Sequence, residues 1–96
     1  MDLFFLTTVS TEPTRPARCV GVFEHWEQAE KILVTNQGDL NEGGYYVYAL
    51  IERCEHLGLC PKLEPVSWFH WEWEVGKWEG CKTPEQFLKV SNFAIG

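Results

Sequence analysis

Long apolar runs are missing from this chain: no stretch of its 96 residues is apolar for the length a transmembrane helix needs. The opening Met1-Asp2-Leu3-Phe4-Phe5-Leu6 is apolar too briefly and carries an acid where a secretory leader has base, so export is not expected and a cytoplasmic setting is. Basic charge is scarce as well. Eight Lys and Arg stand against 14 Asp and Glu, for a net charge of −6. The eight (Arg15, Arg18, Lys31, Arg53, Lys62, Lys77, Lys82 and Lys89) form no run. Direct binding of a nucleic-acid backbone needs clustered cations and is therefore not expected. An acidic surface suits solubility first, then a basic partner, then mimicry of nucleic acid by an acidic decoy.

Signatures of catalysis are missing too. Gly43-Gly44 is followed by neither Lys-Ser nor Lys-Thr and leads into a strand pattern, which excludes a phosphate loop. Nothing marks a nucleophile elbow. The four cysteines, Cys19, Cys54, Cys60 and Cys81, are expected to stay reduced in a cytoplasmic protein. Cys54, His56 and Cys60 lie close together, but without the spacing of about two to four residues that zinc knuckles use. Neither a metal nor a cofactor is expected.

What is present is an ordinary globular composition, 45% hydrophobic and 23% charged, sized for a single domain over residues 1–96. Aromatics are abundant at 15%. Trp and Tyr favour interfaces and ligand sites, although a small domain also uses bulky rings to fill its core.

Three of the five tryptophans fall in Val66-Ser67-Trp68-Phe69-His70-Trp71-Glu72-Trp73-Glu74-Val75. Read as a strand, this segment points Phe69, Trp71, Trp73 and Val75 one way. Val66, Trp68, His70, Glu72 and Glu74 point the other way, aromatic at one end and acidic at the other. The first side should take the main helix. The second needs a cover: the Glu55–Pro65 loop, a ligand or a second subunit, of which two-fold pairing of identical patches ranks first.

The remaining pattern gives strands at Leu3–Val9, Ala17–Phe23 and Tyr45–Arg53, with a helix at Trp26–Thr35. Trp26, Ala29, Ile32 and Leu33 share one arc of that helix, and Asn36 and Gly38 offer its stop. In the third strand Tyr46, Tyr48, Leu50 and Glu52 share a face. Trp78 suits a short return strand after Gly76-Lys77. Thr83-Pro84-Glu85-Gln86 signals a short helix burying Phe87, Leu88 and Val90. Phe93, Ala94 and Ile95 suit a last short strand. The fold class is α+β: a mainly antiparallel sheet of about four strands in β-β-α-β-β order, one main helix on one face, and a short C-terminal helix.

Val20-Gly21-Val22-Phe23, Ala29-Glu30-Lys31, Tyr45 to Glu52, Gly58-Leu59-Cys60-Pro61, Trp68-Phe69-His70-Trp71 and Asn92 to Gly96 together resemble a group of small uncharacterised proteins of bacteria and their phages. The resemblance covers most of the chain from Arg18 onward. It implies a small intracellular accessory protein, phage-encoded and of counter-defence type. It carries over no activity and no site residues.

If the third strand and the Trp-rich strand pair, Tyr46, Tyr48, Trp68 and His70 share one face. Such a patch can stack a planar, nucleotide-like ligand or accept a partner protein, and these four are the candidate binding residues. The same rings serve equally as core beneath a loop or the last helix. His70 with Glu72 or Glu74 offers acid–base chemistry, the basis of an alternative reading as a small enzyme. The expectation is a non-enzymatic binding protein, homodimeric, that occupies a partner protein or sequesters a small ligand.

Overall fold

A computed structural model describes residues 2–10, 17–55, 58–59, 61–90 and 92–94. It is α+β, with five strands where about four were expected. They are β1 (Leu3–Val9), β2 (Arg18–Phe23), β3 (Tyr48–Cys54), β4 (Glu64–Glu72) and β5 (Lys77–Cys81), with one α-helix, α1 (Trp26–Val34). The sheet order is β2-β1-β3-β4-β5, and every neighbouring pair is antiparallel. β2 and β3 therefore run parallel, with β1 between them and α1 on the connection.

The fifth strand comes from where the Trp-rich segment ends. β4 stops at Glu72, the chain turns through Trp73–Gly76, and β5 returns from Lys77, as the Trp78 pattern suggested. β4 also starts earlier than Val66, at Glu64. A bulge places Val66 between the Ile51–Ser67 and Glu52–Pro65 pairs, and β5 does not reach Pro65. A proline lacking a ladder donor is tolerated at such a place.

α1 lies on one face of the sheet. Ala29 and Leu33 are fully buried against Leu6, Ala49, Ile51, Phe69, Trp71 and Trp78, while Trp26 and Ile32 are half-buried beside them. The Trp26 indole donates to Ser67 Oγ at 3.0 Å, tying the helix to β4. The helix ends in a Schellman turn: Asn36 takes a φ of 46°, Asn36 N–H donates to Leu33 O at 2.8 Å, and Gln37 N–H to Ile32 O at 3.3 Å. Asn36 Oδ1 also accepts from the Trp78 indole at 3.2 Å, so one residue both stops the helix and anchors β5.

The second face carries Val9, Leu50 and Trp68, with Tyr48, Phe87 and Phe93 packed on them. Phe87 comes from a single 3-10 turn, Glu85–Phe87, at the place where a short helix was expected. Pro84 sits at the cap with an extended ψ of 142° rather than in the first turn, so the helix does not start at Pro84. Only Phe87 of the expected buried trio packs inward; Leu88 and Val90 are exposed. Phe93 and Ala94 form a turn rather than a strand, and Ile95 lies outside the described residues.

Candidate functional site

On the second face, β3 and β4 place Tyr48 directly opposite His70, and their rings sit 5.2 Å apart at 52°. Two residues along the same side of β4, Glu72 Oε1 lies 3.0 Å from His70 Nδ1. β5 adds its own side chains: Glu79 opposite His70, Lys77 opposite Glu72 and Cys81 opposite Trp68. Tyr48, His70, Glu72, Cys81, Lys82 and Pro84 line an open groove of about 300 Å³. This is the lower end of the usual range for small-molecule sites, about 300–1,000 Å³.

The chemistry follows from the dyad. A carboxylate on Nδ1 holds the neutral imidazole with its proton there, which leaves Nε2 as an acceptor; protonation makes it a donor. Tyr48 supplies a hydroxyl beside that ring, and Lys82 a cation at the rim. Cys81 is exposed, but burial of its sulfur and the nearby Glu72 charge push its thiol pKa up. A thiol held protonated is a poor nucleophile.

Trp68 shares this face but is not part of the open groove. It is only 4% exposed. Phe87 stacks on it at 5.4 Å with the planes 3° apart, and Phe93 meets it edge-on at 5.3 Å. Phe87 also touches Tyr48 edge-on at 6.0 Å. Among the described residues, the cover over Trp68 is thus the chain's own C-terminal segment, through Phe87 and Phe93. Tyr46 does not join the group either. It precedes β3, is buried, donates its N–H to Asn41 O at 3.1 Å, and meets the Tyr45 ring at 4.8 Å with the planes tilted by 56°. Glu74 lies exposed in the turn after β4, beyond the ladder that holds His70 and Glu72.

Sequence reasoning missed Glu52, although it placed the residue on the right face. Glu52 is fully buried, and its two oxygens accept the N–H groups of Phe93 and Ala94 at 3.1 Å each. Burial raises its pKa, and these backbone donors offset part of that rise. Beside it, Asn92 Oδ1 accepts from Leu63 N–H at 2.6 Å. Together these bonds anchor the segment that covers Trp68. A lone acid directly after the apolar run Ala49-Leu50-Ile51 was the available signal.

His56 and Cys60 lie outside the described residues. Among those described, no group of three or more His, Cys, Asp or Glu side chains could hold a metal; Cys19 and Cys81 are exposed free thiols, and Cys54 is buried. No helix there is long and apolar enough to cross a membrane. No family profile, curated protein or solved structure matches the chain.

Proposed function

We propose that this is a small intracellular binding protein that sequesters a planar, nucleotide-like ligand in the Tyr48–His70 groove. The observation that carries the reading is the Tyr48–His70 ring pair, 5.2 Å apart, with a carboxylate fixing the imidazole and a lysine at the rim. An aromatic surface stacks a base, a fixed imidazole reads one hydrogen-bonding edge, and the Lys82 ammonium suits a phosphate. Titration calorimetry with a panel of nucleoside monophosphates tests the proposal. Tyr48→Ala and His70→Ala should each weaken binding by about 1–3 kcal/mol, the worth of one stacked base. Failure of every nucleotide to bind would overturn it.

The 3.0 Å His70–Glu72 contact favours a second reading, in which His70 is the general base of a small enzyme oriented by Glu72. Turnover lost in His70→Ala and reduced in Glu72→Gln, with ligand binding retained, would select this reading over sequestration.

A further inference from the structure

Trp73 stands one residue beyond β4, in the turn to β5, and is 61% exposed; Val75 in the same turn is 58% exposed. Two large apolar side chains thus face water at one hairpin tip. The indole is nevertheless held in place. It meets Trp71 edge-on at 6.3 Å and 86°, and its six-membered ring lies over the α-carbon of Gly44. Any side chain at position 44 would overlap that ring, and the φ of +105° there favours glycine in its own right. Tyr45, next along the chain, is 38% exposed. An aromatic ring that is exposed yet already fixed loses little entropy when a partner covers it.

The surroundings select the partner. Glu74 follows Trp73 in sequence and Asp39 lies on the loop that supports it; Glu42 on that loop is paired with Arg18 at 2.6 Å and Glu72 with His70, and the whole chain carries −6. Indole is the strongest side-chain acceptor of a cation on its face. From the fixed, exposed Trp73 ring in this acidic setting, we propose that the hairpin tip docks a basic segment of a partner protein. An arginine or lysine lies on the free face of Trp73, with its stem against Val75 and its charge beside Glu74. The surface is distinct from the ligand groove, because Trp71 and Tyr48 belong to opposite faces of the sheet.

The test is fluorescence anisotropy with the full chain and a short labelled peptide of alternating arginine and leucine. Trp73→Ala should weaken binding about tenfold or more, Trp73→Phe less, and Glu74→Gln a few-fold. Leu88→Ala, which alters an exposed leucine elsewhere, should leave binding unchanged. Equal affinity of wild type and Trp73→Ala would overturn the proposal, as would equal binding of a glutamate–leucine peptide. So would sedimentation in which wild type dimerises through Trp73 while the basic peptide fails to bind, since a second copy would then be the occupant.

Discussion

Glu52 couples the pH to the closing of the second face. The closed C-terminal segment removes its carboxylate from water, so the folded state binds the proton more tightly than the unfolded chain does. With the folded pKa raised, the stability due to this proton is fully present below the ordinary carboxylate pKa. It is lost as pH rises through the raised value. Urea unfolding over a pH series should therefore show wild type losing stability, relative to Glu52→Gln, as pH climbs through that window. The comparison rests on the slope, because glutamine sets an amide N–H against a backbone donor and lowers the level by about 1–3 kcal/mol. Parallel pH profiles would contradict the linkage. Cys81 gives a second prediction of the same kind. Burial and the Glu72 charge hold its thiol protonated, so near neutral pH it should alkylate more slowly than a small free thiol despite its exposure. Glu72→Gln should accelerate that reaction, as read by mass spectrometry of the labelled peptide.

At the level of elements, the periodic signals were the legible ones. An apolar run rich in strand-forming residues located β1, alternation located the body of β4, and helical spacing located α1 with its inward arc. The turn chemistry at Asn36 stopped the helix where expected. The errors fall where tertiary contacts override local pattern. Trp73 and Val75 continue the alternation of β4 on paper, yet the chain turns after Glu72, with Gly76 N–H donating to Glu72 O at 2.8 Å. Tyr45 and Tyr46 continue β3 on paper, but lie before the strand in the connection that follows α1. The same contrast ranks the helix residues. Leu33 is fully buried and Trp26 only half so. Leu33→Ala should thus cost about 2–5 kcal/mol, whereas Trp26→Ala should fall below the roughly 3–5 kcal/mol of a fully buried aromatic. A larger loss at Trp26 in denaturant melts would mean that its bond to Ser67 outweighs its exposure.

Across the whole molecule, one helix covers one face of a five-stranded sheet, and the chain closes part of the other face with its own last segment. The sequence made the need for a cover legible, since Trp68 and Tyr48 point away from the helix. It left the occupant open among a loop, the last helix, a ligand and a second subunit. Phe87 and Phe93 lie in stretches too short for a periodic signal, and the anchor of Phe93 is a carboxylate 41 residues away. That division of the face has a mechanical consequence. Trp68 is buried only while Phe87 and Phe93 hold it, and Glu52 fixes the backbone at Phe93 and Ala94. Replacing both phenylalanines by alanine leaves α1 and its core untouched, so the sheet should still form. The second face would then present Val9, Leu50 and Trp68 to water as an apolar patch of the kind that drives association. In sedimentation velocity, Phe87→Ala/Phe93→Ala should associate more strongly than wild type, and adding Trp68→Ala should reverse that gain. An unchanged sedimentation profile with a bright, red-shifted tryptophan signal would show the face open but unable to pair. A double variant that unfolds outright would make the C-terminal segment part of the core itself, with single substitutions then needed to rank its two rings.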